Sequence, residues 1–185
     1  MSLLTQSFMQ QWVRGTGYRL QQVRQQLGFV SPLSDNDYRE VAEWLPPQAI
    51  TLFHTMSQAD QQHSLRVLRG LRERGCSERD MLSAALLHDV GKAEGRVPFW
   101  TRPVIVIGKR LARGWLSRMV VEPEHALFAG LAPWRCSLSY AWYHAEVGAR
   151  LAAKAGLSER SILYIRTHHE PNGPAAELHV VDDVS

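Results

Sequence analysis

The chain has 185 residues, 45% hydrophobic and 21% charged, enough to bury one core and unlike a disordered or fibrous protein. Lys and Arg exceed Asp and Glu by 21 to 18, which suits a phosphate-bearing substrate or an anionic membrane but is too small an excess to argue for nucleic acid. The two cysteines, Cys76 and Cys136, lie far apart with no CxxC spacing, so neither a disulfide framework nor a thiolate zinc site is expected, and a reducing, cytoplasmic setting fits best.

In chain order, the Gln-rich stretch Ser7 to Leu27 places Phe8, Trp12, Leu20, Val23 and Leu27 at helical intervals, predicting one or two amphipathic helices before Gly28 and Ser31-Pro32. The opening residues lack a basic segment followed by an apolar run, so no signal peptide is read there. The break at Leu45-Pro46-Pro47 leads to a division into an N-terminal helical extension, residues 1–50, and a main domain, residues 51–185. Past Ala59 a helix carries His63, Leu65, Leu68 and Leu71 and is stopped by Gly75.

Ser77 and Asp80 resemble a capping arrangement in front of Met81 to Leu87, a run apolar on nearly every side and therefore a buried helix. It delivers His88 and Asp89 at its end, just before Gly91, and burial makes both polar groups costly unless they have partners. Next, Val104, Ile107, Leu111, Trp115 and Met119 recur every three or four residues with Lys109, Arg110 and Arg113 between them, predicting a basic amphipathic helix. Its ordinary role is to pack one face on the core, and docking on a membrane surface stays open. The cations also break the apolar run Pro103 to Val121, so no spanning segment is expected.

A helix from His144 to Ala155 ends at Gly156, and Ser158 caps another that leads through Ile162, Leu163 and Ile165 to His168 and His169. Leu178 to Val184 reads as a helix or an extended segment and carries Asp182 and Asp183. His63, His88, Asp89, His144, His168, His169 and Asp182 are thus candidate ligands on or beside separate helices, and imidazole and carboxylate donors suit Fe, Mn, Zn, Ni, Co or Mg. His54, His125 and His179 lack such company and receive no function. The six tryptophans are read as core and interface anchors.

His63, the run Ala84-Ala85-Leu86-Leu87-His88-Asp89-Val90-Gly91-Lys92 and the late Asp182 resemble the H…HD…D signature of the HD-domain superfamily of metal-dependent phosphohydrolases. The resemblance runs from about Ala59 to the last residues. It implies an all-α helical bundle with a metal site at its centre. His144-Ala145-Glu146 and Thr167-His168-His169-Glu170 are similar to the extra histidines of the binuclear branch that includes the HD-GYP phosphodiesterases. That likeness implies one or two divalent ions: the first on His63, His88, Asp89 and Asp182, the second on His144, His168 and His169 with Asp89 as the bridge. Asp182 is preferred to Asp183 because Val180-Val181 supply the family's apolar context.

The chain departs from the HD-GYP pattern after Glu170, where Pro171-Asn172-Gly173 replaces the Gly-Tyr-Pro triplet, so cyclic di-GMP specificity is not implied. It also carries an inserted basic segment, about 95–142, between Asp89 and His144. The expected function is hydrolysis of a phosphomonoester or phosphodiester in a nucleotide or nucleotide-like substrate. Asp89 and Lys92 are the candidate catalytic residues, Lys92 offering its ammonium to the substrate phosphate. Two competing expectations are a di-iron oxygenase on the same scaffold, similar to myo-inositol oxygenase, and a non-catalytic nucleotide- or metal-binding regulatory module. The oligomeric state is left open.

Overall fold

The computed structural model describes residues 31–94, 97, 105 and 113–185. The chain divides after Pro32 into two compact units, and the helices described belong to the second, Leu33–Ser185. The helices expected over Ser7 to Leu27 lie outside the described residues, as does most of the stretch 95–112. The elements in chain order are α1 (Asp35–Trp44), α2 (Pro47–His54), α3 (Gln58–Glu73), α4 (Arg79–Leu87), the short α5 (Gly91–Glu94) and α6 (Arg113–Leu116), a single 3₁₀ turn (Phe128–Gly130), α7 (Pro133–Lys154), α8 (Glu159–Thr167) and α9 (Ala176–Asp182). No strand occurs among the described residues, and the fold is all-α as expected. No helix among them is long and apolar enough to cross a membrane.

The centre of the bundle is α4, in which every residue from Met81 to Leu87 is buried. It packs between α3 and α8, while α7 lies against α8 and α5 and α9 lies against α3. A helix apolar on all sides has no stable place at a surface, so the neighbouring helices must enclose it, and truncating a side chain such as Leu86 is worth about 2–5 kcal/mol. The capping arrangement expected at Ser77 and Asp80 does not form: Glu78 is the N-cap and no side chain caps the helix. The Asp80 carboxylate instead accepts from the Ser158 hydroxyl at 2.6 Å, tying the start of α4 to the cap of α8.

Three boundaries differ from the sequence reading. The division expected at residue 50 falls at Pro32, because Val41 and Leu45 as well as Ala49 and Phe53 are buried in the same core as α3, α4 and α8. The two prolines taken as a break mark only a turn, with Pro46 as N-cap and Pro47 at the first position of α2, where its missing N–H costs nothing. Likewise the helix of His144 begins at Pro133, so the inserted segment ends at Ala132 rather than Trp142. Of the basic helix expected through Met119, the described part stops at Leu116 and gives way to a turn.

What remains of the insertion has a small core of its own, in which Ile105, Leu116 and Val120 meet Leu138 and Ala141 of α7. Trp44 and Trp142 are partly buried against the two cores, whereas Trp115 is 64% and Trp134 44% exposed. Gly75 and Gly156, read as helix stops, have φ of 91° and 81°, the left-handed conformation that ends a helix at least cost in glycine.

Two glycines set how closely the helices of the site approach. A Cβ on Gly91 would lie on the carbonyl oxygen of His144 and 2.8 Å from the Gly148 nitrogen, both rigid helical backbone. On α3, a Cβ at Gly70 would come within 2.8 Å of Val181 on α9. Gly91→Ala is therefore expected to lower stability by about 1–3 kcal/mol or more in urea unfolding, whereas Gly114→Ala, with open space around it, leaves the midpoint within error. At the start of α1, Ser34 and Asp37 form a capping box, and hydrogen bonds from Ser34 and from Arg69 lower the Asp37 carboxyl to about 2. Ser34→Ala is expected to cost about 1 kcal/mol near pH 7. A lowered carboxylate stabilises the folded chain above its unfolded value and ceases to as it protonates, so this cost should shrink as pH falls from 4 towards 2.

Candidate metal centre

Two helices, α4 and α8, have a histidine as C-cap. His88 is the C-cap of α4 and His168 the C-cap of α8, so each ring stands at a turn whose last carbonyls lack helical partners. Each ring turns its Nδ1 back onto such a carbonyl: His88 onto Ala85 at 2.9 Å and His168 onto Ile165 at 2.7 Å. His144, within α7, does the same to Ala141 at 2.9 Å. A carbonyl only accepts, so Nδ1 carries a proton in all three rings and Nε2 is left as the atom that a metal would take. Three imidazoles are thereby fixed in the tautomer that a metal requires.

The Nε2 atoms of His88 and His168 are buried and make no hydrogen bond. That of His88 comes no nearer than 3.4 Å to Asp182 and 3.7 Å to Asp89. Orphaned buried nitrogens carry a desolvation cost of about 1–3 kcal/mol each, and a cation on the lone pair removes it. The donor set therefore fits a divalent metal.

The ligand atoms fall into two groups, each within 4.8 Å: His63, His88 and Asp89 in one, His144, His168 and His169 in the other. Asp182 joins the first, its Oδ1 lying 2.8 Å from His63 Nε2. Asp89 stands between the groups, with Oδ2 3.7 Å from His88 Nε2 and Oδ1 3.5 Å from His144 Nε2. The two clusters also touch ring to ring through His88 and His168, with centroids 5.1 Å apart. Within the second, His169 Nε2 approaches His144 Nε2 at 2.9 Å.

All seven candidate ligands are thus brought together. Asp183 faces outward and lies 3.6 Å from His179, so Asp182 is the one beside His63. His54 stacks on Tyr38 and His125 is exposed, away from the centre. Lys92, on α5, places its ammonium 2.5 Å from Asp89 Oδ2.

Burial and charge shape the electrostatics. Burial resists ionisation of Asp89, but the charges of Lys92 and His88 outweigh it and hold the carboxyl well below its usual range. Burial and the neighbouring Lys92 push His144 well down, and burial with His169 and His88 takes His168 to about 3, so both rings stay neutral. Burial also works against a charged His88, yet Asp89 and Asp182 draw its value up to about 9, so at neutral pH its Nε2 holds a proton between the two carboxylates that a bound metal would displace. The second cluster is therefore an uncharged nitrogen set and the first a mixed set with carboxylates.

Sequence reading named the candidate ligands but missed what positions them. The three carbonyls that orient the rings follow from the helical i−3 relation, and Gly148, four residues past His144, is the counterpart of Gly91 across the α5–α7 crossing. No family model, curated protein or solved structure matches the chain.

Protein loaded with Mn or Zn and then desalted is expected to hold about two ions per chain, as paired-metal sites do. His169→Ala, at an exposed position that leaves the core intact, and His63→Ala should each remove one ion, and Asp89→Ala should weaken both. Unchanged metal content in all three variants would rule out the two-cluster assignment.

Proposed function

We propose that this chain is a metal-dependent phosphohydrolase of the HD type, acting on a phosphomonoester or phosphodiester of a nucleotide or nucleotide-like substrate. The observation that carries the reading is Asp89, a buried carboxylate whose two oxygens are directed to two separate ligand clusters. Bound divalent ions would supply Lewis acidity toward phosphoryl oxygens and a water nucleophile at neutral pH. His63, His88, Asp89 and Asp182 would hold one, and Asp89, His144, His168 and His169 the other.

The chain's own residues supply the rest. His88 and His168 are fully buried and form a floor closed to bulk water, while Lys92, His63 and Asp182 keep 19%, 22% and 16% of their side chains exposed. A substrate would enter from that rim. The Lys92 ammonium has three N–H groups, enough to keep Asp89 and also hold a phosphoryl oxygen, stabilising the charge that develops there. A fixed cation at the rim favours an anionic substrate over the neutral polyol of an oxygenase reading.

With Mn-loaded protein and p-nitrophenyl phosphate or its bis ester, Asp89→Ala is expected to lower turnover by on the order of a thousandfold, with the helical circular-dichroism signal retained. Lys92→Ala should lower it by about a hundredfold and Lys92→Arg should recover part of the loss. Wild-type turnover by Asp89→Ala would overturn the proposal. Oxygen uptake by the Fe-loaded protein without phosphoester turnover would replace it with the di-iron reading.

A further inference from the structure

The two clusters share Asp89 but differ in the chemistry of their remaining donors. One oxygen of Asp89 goes to each: Oδ2 lies 3.7 Å from His88 Nε2 and Oδ1 3.5 Å from His144 Nε2. The first cluster adds Asp182, whose Oδ1 lies 2.8 Å from His63 Nε2 and 3.4 Å from His88 Nε2. Its donors are therefore two nitrogens and two carboxylate oxygens. In the second, the metal-competent group consists of histidines alone, three nitrogens beside the single Asp89 oxygen. Two of those nitrogens, on His144 and His169, stand 2.9 Å apart with no carboxylate between them. Such a pair needs a proton or a cation in common.

Donor type sorts divalent ions. Carboxylate oxygen is hard and anionic, and Mn or Mg, which gain little from nitrogen, depend on it. Imidazole nitrogen is neutral and borderline, and Zn or Ni gain far more from it than Mn does. A site of nitrogen and oxygen donors generally prefers Zn to Mn, so the clusters differ in the size of that preference and not in its sign. Exchanging an oxygen for a nitrogen enlarges it, and the second cluster has one oxygen fewer than the first. Three imidazoles with a fourth position left over is also an arrangement that zinc takes in hydrolytic sites.

We propose that the centre is built for two unlike ions, an oxygen-seeking ion of the Mn or Mg kind on the cluster of Asp182 and a nitrogen-seeking ion of the Zn or Ni kind on the three-histidine cluster. The oxygen-rich cluster is also the one that Lys92 meets, through Asp89 Oδ2 at 2.5 Å. The ion better matched to phosphate oxygen thus belongs on the side of the ammonium assigned to the substrate. The inference rests on the two-ion centre of the hydrolase reading. Total metal content tests that centre, and the division of two metals between the clusters tests the inference.

Metal-free protein is given one equivalent of Zn and an excess of Mn and is then desalted. The chain is expected to hold about one ion of each, and the Zn X-ray absorption edge to report three imidazoles. His169→Ala should lower that number to two, because the Zn is left with a poorer set in either cluster. His63→Ala should leave the Zn spectrum unchanged and lower the Mn content by about tenfold or more. Both variants should keep the helical circular-dichroism signal. A Zn spectrum that changes in His63→Ala but not in His169→Ala would reverse the assignment and overturn the proposal. So would a spectrum that responds equally to the two substitutions, since Zn would then be divided between the clusters. A chain that holds a single ion whatever metal is offered would overturn the two-ion centre itself, and total content shows this before any spectrum is read.

Discussion

A carboxylate enclosed by helices is expensive, several kcal/mol if left uncompensated, and Asp89 is enclosed on almost every side. Much of the bundle is arranged around that cost. Four helices contribute a histidine to its surroundings, α5 contributes Lys92, and the apolar faces of α3, α4, α7 and α8 make the enclosure dry. Because the interior is dry, each imidazole must be told which nitrogen to protonate, and backbone carbonyls three residues back do this for three of them. Main chain, not side chain, thus orients the candidate ligands, which is why the helix ends at His88 and His168 matter as much as the residues themselves.

Proximity of helix axes is the second requirement. Imidazole reaches only a few ångströms from its Cα, so α5 and α7 must nearly touch for Asp89 and His144 to face one another. Gly91 and Gly148 provide that approach, and Gly70 does the same where α3 meets α9, two turns from His63. These glycines are not there for backbone freedom. They are there because any side chain would separate the ligand-bearing helices.

The sequence exposes some of this organisation and hides the rest. The buried helix of α4 is legible because seven successive apolar or small residues leave no polar face, and the His88-Asp89 pair stands out because such a helix cannot end on them without partners. The separation of Asp182 from Asp183 follows from helical phase: Val181 packs inward in α9 and Asp182 turns toward His63 while Asp183 does not. The start of α7 was hidden by its composition, since Trp134, Tyr140, Trp142 and Tyr143 resemble the irregular aromatic stretch before them, although Pro133 marks a first helical position. The border at Pro32 was hidden because two prolines at the start of α2 look like a linker when they only make a turn. Burial of Val41 and Leu45 depends on partners distant in sequence, and periodicity does not register partners.

The short α9 has a consequence for how the molecule breathes. Seven residues are fewer than an isolated helix needs to persist in water, so α9 is held by Leu178 and Val181 against α3 and by the contact of Asp182 with His63. Its local opening and the integrity of the first ligand cluster are therefore one equilibrium: fraying of α9 withdraws a carboxylate from the centre, and whatever occupies that cluster suppresses the fraying. Amide hydrogens of α9 would exchange as a readout of occupancy at a point two turns from Gly70, and the energy of coordination would be spread through the bundle as protection of its most marginal helix.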